Sequence, residues 1–318
     1  MTPEASRRLR TLVPWAIALV ILAILFKTVS LSALREVARQ VNVGVWAAFV
    51  LVFVLATLSA DSVAAWVIYR RSLPDVPLKL GETLVMRGAT YLLSVLHYGA
   101  GQGGMAYFLK THYGVPLGRA AGAVMLTMGT NAITVAAFAT LGIALGGAPA
   151  SPALRTVILV FGAGVPVYLA LVAWRPAFLA RIGLLRPLFD AGVRGHLVIA
   201  AARVPHVAVL IAGHFTAMRL FSIQVPVSEA VALLPIVFII SVLPISPSGL
   251  GTSQAAAVAL FARFAPGADL EAQRAAVLGY SLGLHFSGII GQALVGLVFL
   301  RVHGQTDTID APDGGTDV

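Results

Sequence analysis

Cysteine is absent from the 318 residues, which excludes disulfides and thiolate metal sites. Charge is scarce too: Asp, Glu, Lys and Arg make up 11% of the chain, too little to cover the surface of a soluble fold of this size. The apolar part holds no His-Glu-x-x-His, no Gly-x-Ser-x-Gly and no paired aspartates, so no familiar catalytic constellation is visible and no catalytic residue, metal or cofactor is expected. What is there instead is apolar. Hydrophobic residues make up 58% and the mean hydropathy is +0.91, the composition of a polytopic membrane protein. The net charge of +9 sits in short loops between apolar runs instead of in one stripe. That pattern fits orientation by the positive-inside rule and contact with anionic lipid, not nucleic acid.

Arg7, Arg8 and Arg10 precede a first span from Leu12 to Phe26, with Pro14 in its first turn, read as uncleaved because no small-residue cleavage site follows. Ser30 to Asn42, carrying Arg35 and Arg39, is polar and amphipathic and predicts an interfacial helix. A second span runs from Val43 to Tyr69, contains Asp61 and stops at Arg70 and Arg71. Leu117 to Leu145, polar in its middle at Thr127, Thr130 and Asn131, and Val157 to Trp174 are further spans. A connector with Arg175, Arg181, Arg186 and Arg194 belongs in the cytoplasm. Leu197 to Leu220 carries Arg203, His206 and His214, with His196 at its entry, spaced to face the bundle together. Ala275 to Leu300 is the last span, and a disordered polar tail is expected over 304–318.

Two stretches break this rhythm. Pro244 to Gln254, Pro-Ile-Ser-Pro-Ser-Gly-Leu-Gly-Thr-Ser-Gln, separates two apolar arms, Val231 to Leu243 and Ala255 to Phe261, each shorter than the roughly 20 residues a crossing helix needs. Proline and glycine stop the helix there, so the chain is expected to enter the membrane, break and turn back. His97 to Gly104 similarly separates Leu84 to Leu96 from Met105 to Leu109. Its Gly101-x-Gly103 lacks the strand and the Gly-Lys-Ser/Thr ending of a phosphate loop. If both stretches were full crossings, the four-arginine connector would fall outside. If both are re-entrant hairpins, every arginine-rich loop and both termini fall in the cytoplasm. The order span, span, hairpin, span then occurs twice, in halves 12–145 and 157–300, with opposite topology. The expected fold is therefore an all-α polytopic membrane protein with about six spans, two re-entrant hairpins and an inverted repeat within a single domain, 1–303. In such folds the substrate site lies between the halves near the midplane.

The candidate substrate-binding residues follow from those breaks. A half-helix that begins inside the membrane offers free amide hydrogens and a positive dipole end to an anionic headgroup. Ser248, Gly249, Gly251, Thr252, Ser253 and Gln254 surround one such start, and Gly101, Gly103 and Gly104 the other. Glycines that only permit close helix packing are the structural alternative. Arg87 is the cation expected nearest a phosphate, against snorkelling to the cytoplasmic interface, and Arg203 is expected either to contact substrate or to pair with Asp61.

Pro244 to Gln254, the alanine-rich half-helix after it and the late polar span resemble the transmembrane domain family of lysylphosphatidylglycerol synthase, also called flippase-like. Tyr107-Phe108-Leu109-Lys110 and Tyr113-Gly114-Val115-Pro116 stand after the family's other glycine motif, and the resemblance covers nearly the whole chain. Members usually carry an acid where this chain has Gln254, and often an arginine near Ala106, where none stands. The resemblance implies handling or flipping of a phospholipid or lipid-linked anion across the cytoplasmic membrane. Aminoacyl transfer belongs to a separate soluble domain of the full-length synthases, and none follows Leu300, so no enzyme activity is expected. The alternative is a non-transporting membrane partner of a lipid- or glycan-modifying enzyme. The oligomeric state is not set by these features.

Overall fold

The computed structural model describes residues 23, 31–96, 98–147, 152–243 and 245–309. They form helices α1 (Leu31–Gln40), α2 (Val43–Ser72), α3 (Leu80–Leu96), α4 (Tyr98–Tyr113), α5 (Leu117–Ala144), α6 (Pro152–Trp174), α7 (Ala177–Ala180), α8 (Arg186–Leu220), α9 (Val227–Val242), α10 (Thr252–Phe261) and α11 (Leu270–Ile309). Single 3-10 turns cover Pro247–Gly249 and Ala262–Phe264, and the described residues contain no strand. Within α2, α5, α6, α8 and α11 lie the five segments long and apolar enough to cross a membrane. The protein is an all-α polytopic membrane protein, and the sixth expected span, Leu12 to Phe26 with Pro14, lies outside the described residues apart from Ala23.

Local chemistry accounts for the ends. The Asn42 side chain accepts the Val45 amide at 3.0 Å and starts α2 directly after the amphipathic α1. Arg70 and Arg71 occupy the last turn of α2, where the helix dipole favours cations. The loop that follows is tied down by Trp66, whose Nε1 donates to Leu78 O at 3.1 Å. Asp75 accepts both terminal nitrogens of Arg119, and that guanidinium holds the exposed Asp75 carboxyl below its ordinary range.

Four helices are too short to cross and pair as the two hairpins, α3 with α4 and α9 with α10. The packing is reciprocal. In the first half, α3 packs on α11 of the second, and in the second half, α9 packs on α5 of the first. Helices α2 and α8 pack on each other, α4 lies on α5 as α10 lies on α11, and α2 meets α3 as α8 meets α9. This exchange of equivalent partners is the inverted repeat in three dimensions. Gly142 makes one such contact possible, because a Cβ there would lie 2.3 Å from the Ala232 nitrogen of α9.

Three expectations are corrected. The first break is not a glycine loop: α3 ends at Leu96, α4 begins at Tyr98, and Gly101, Gly103 and Gly104 are helical. A Cβ on Gly101 would lie 1.9 Å from Ser94 Oγ, and one on Gly104 2.6 Å from Leu93 Cδ1. These two glycines let the hairpin arms lie side by side, and the packing outweighs the cost of about 1 kcal/mol for glycine in a helix. The arginine connector is shorter than expected, since α8 already contains Arg186 and Arg194, with a kink at Gly192 where φ is 60°. The tail is shorter too, because α11 continues through Gly304 to Ile309; residues 310–318 lie outside the described residues.

Candidate functional site

Asp61 stands near the middle of α2, only 2% exposed, where an unpaired carboxylate is too costly to bury. Two arginines meet it. Arg87, near the middle of α3, gives its Nε to Asp61 Oδ2, and Arg203 of α8 gives Nη1 to Asp61 Oδ1. Arg87 is 8% exposed, so it is drawn inward to the carboxylate and does not snorkel to the interface. Arg203 takes the pairing expected as one of its two roles. The contact ties the two halves together, because Asp61 and Arg87 belong to the first and Arg203 to the second.

This cluster borders a cavity of about 440 Å³ between the halves. Its polar wall includes Thr57, Asp61, Arg87, Asn131, Arg203 and His206. Farther along stand His214, Ser241, His285 and Gln292, and from the hairpins come Tyr91, Ser94, Tyr98 and Ser248. Phe53, Phe161, Phe238 and Leu284 line the apolar remainder. Several polar atoms bordering it are buried without a partner among the described residues: Thr57 Oγ1, Asn131 Oδ1, Arg203 Nε, His206 Nδ1 and His285 Nε2. Buried groups of this kind are normally paired, so this wall keeps hydrogen-bonding capacity that no described residue uses. Among the described residues no group of three His, Asp or Glu is arranged to hold a metal.

The four polar residues of α8 do not act as one face. Arg203, His206 and His214 line the cavity, whereas His196 turns to α6, its Nε2 lying 2.9 Å from the Tyr168 hydroxyl and its Nδ1 2.8 Å from Gly192 O. His214 Nδ1 lies 2.6 Å from the hydroxyl of Tyr280.

The second break is an irregular turn, with Ser248, Gly249 and Gly251 at φ of 49°, 74° and 85°. Glycine at 249 also avoids a clash, since a Cβ would fall 2.7 Å from the Ser241 Cα of α9. Ser248 borders the cavity and donates to Val95 O at 3.0 Å, so the two hairpin tips touch there. The residues after it knit the turn together. Thr252 and Ser253 donate their hydroxyls to Gly249 O at 3.1 and 2.8 Å, and Gln254 Oε1 accepts the Gly251 amide at 2.6 Å. Of the candidate substrate-binding residues, the cavity gathers Arg87, Arg203 and Ser248. Gly101, Gly103, Gly104, Gly249, Gly251, Thr252, Ser253 and Gln254 are not among its lining residues. Sequence reasoning left Asp61, Asn131, His206, His285 and Gln292 out of the site. The available signal was that each is a polar residue inside an apolar span.

Reciprocal halves, two broken-helix hairpins and a charged cavity between them define a membrane protein of inverted-repeat architecture with a central polar cavity. Residues 11–296 match the family described as the lysylphosphatidylglycerol synthase TM region, and the chain belongs to that family. No curated protein matches the chain.

Proposed function

We propose that the protein takes the anionic headgroup of a phospholipid or lipid-linked molecule into the cavity between its halves and passes it across the cytoplasmic membrane. The observation that carries this reading is the buried cluster, in which two arginines share one aspartate and leave a positive charge in excess inside the membrane. An excess cation in a low-dielectric cavity lowers the cost of bringing an anion through hydrocarbon. Partnerless polar atoms on the same wall supply further hydrogen bonds. The acyl chains would stay in the bilayer while the headgroup follows the polar wall. Both termini and the Arg70–Arg71 end of α2 face the cytoplasm in this reading, by the positive-inside rule. In this reading the protein acts without chemistry of its own, and the family it matches is described as a TM region.

The test is a proteoliposome assay that follows quencher access to acyl-labelled phosphatidylglycerol in the inner leaflet. Purified protein should accelerate bleaching of the inner-leaflet pool, and Arg87→Ala should return it to the protein-free rate. No acceleration for any anionic or lipid-linked probe would overturn transport. A stoichiometric membrane enzyme co-purifying with the inactive protein would point to the partner role instead.

A further inference from the structure

Cavity charge is set by few groups. Among the described residues that line it, Asp61 is the one acid, while Arg87 and Arg203 are the arginines and no lysine is present. With the histidines counted neutral, the wall carries one positive charge in excess. Both Asp61 oxygens already accept from guanidinium nitrogens, one from each arginine. A ligand bearing one negative charge balances the site. A ligand with a second negative charge leaves one buried without a counter-ion, and a ligand with an ammonium group finds no free carboxylate to meet it.

The remaining wall favours hydroxyls. Asn131 Oδ1 is a partnerless acceptor, and His206 Nδ1 and His285 Nε2 are partnerless ring nitrogens that accept or donate according to tautomer. Arg203 Nε, on a residue 2% exposed, is a partnerless donor suited to a phosphate oxygen. Phe53, Phe161 and Phe238 beside these groups provide an apolar wall for the start of an acyl chain.

We infer, resting on the lipid-handling reading above, that the site selects a lipid with a singly charged phosphodiester and an uncharged, hydroxyl-bearing head. It turns away amine-bearing and doubly charged headgroups. The specificity is by charge count: Asp61 cancels one arginine so that only one phosphate charge is welcome. Aminoacylated lipids, whose heads carry ammonium groups, are on this account poor ligands for this chain.

The experiment has two arms on the purified full chain. In detergent, thermal unfolding is followed with phosphatidylglycerol, phosphatidylethanolamine, lysylated phosphatidylglycerol and phosphatidic acid, and with water-soluble glycerophosphoglycerol. In proteoliposomes, the inner-leaflet bleaching rate is measured for acyl-labelled forms of the four lipids. Phosphatidylglycerol should stabilise most and cross about tenfold faster than the others, the ratio expected for one unmatched group at the site. Glycerophosphoglycerol stabilising as well as the lipid would overturn the lipid assignment in favour of a soluble phosphodiester. Equal rates and equal stabilisation for all four lipids would overturn the selectivity while leaving transport standing. Selective stabilisation without any crossing would support the headgroup assignment and overturn the translocation reading. Asp61→Asn should shift preference toward phosphatidic acid by adding a second excess charge, and an unchanged preference in a folded variant would overturn the charge-count account. If that variant does not fold, the wild-type panel decides alone.

Discussion

Asp61 is the residue on which most depends, because it neutralises two guanidinium groups that would otherwise stand inside the membrane without a counter-ion. Taking away one partner of a buried pair typically costs about 3–5 kcal/mol, most of it the penalty of the charge left behind. Asp61→Ala is therefore expected to lower stability by at least about 3 kcal/mol, read as the shift in thermal unfolding in detergent. Adding Arg203→Leu to that variant should recover part of the loss, since one stranded cation is removed. A double variant no more stable than the single one would contradict the account. The pairing was half visible in the sequence: an acid and a deep arginine in apolar spans invite each other, but Arg87 lies 26 positions from Asp61 and Arg203 lies 142. Nothing in the order of residues says that one carboxylate serves both.

At the scale of elements, glycine is the residue whose meaning local reading gets wrong. A helix breaker and a packing glycine are written with the same letter. Gly142 faces the backbone of α9, whereas Gly103 has nothing within 4 Å of where its Cβ would stand. Gly142→Val should thus force α5 and α9 apart and destabilise the fold, while Gly103→Ala should be tolerated or stabilise by about 0.5–1 kcal/mol through helix propensity. Thermal unfolding of both variants checks the contrast. Transport that survives Gly103→Ala would also separate that glycine from substrate contact. The loop between α2 and α3 offers a pH test. Arg119 depresses the Asp75 carboxyl from its ordinary value of 3.8, so the pair's contribution is fully present above that value and is lost as pH falls through the lowered one. Hydrogen exchange over 73–79 should quicken on acidification in the wild type, and Asp75→Asn should remove that dependence. High salt should weaken the contact, because the pair is exposed.

At the scale of the whole molecule, the proposed orientation rests on where the arginines lie. The natural lack of cysteine makes it directly testable. Single cysteines at Ser72 and Arg186 should react with an impermeant thiol reagent only from the cytoplasmic side, and labelling from outside at either would invert the scheme. Five crossing helices and the short hairpin arms were legible in the residues alone, because hydropathy, span length and proline or glycine breaks are properties of contiguous segments. Val227–Val242 and Thr252–Phe261 sit where the apolar arms around Pro244 to Gln254 called for them. The reciprocal packing of α3 on α11 and α9 on α5 was beyond such reading, as were the separation of His196 from its cavity-lining neighbours on α8 and the gathering of Asp61, Arg87 and Arg203 at one point. Those depend on how each helix is rotated and where helices from opposite halves meet. Sequence by itself determined which segments lie in the membrane and that polar groups are buried among them. Only tertiary structure decided which of those groups share a cavity, because burying a charge is settled by partners brought together through packing over long separations.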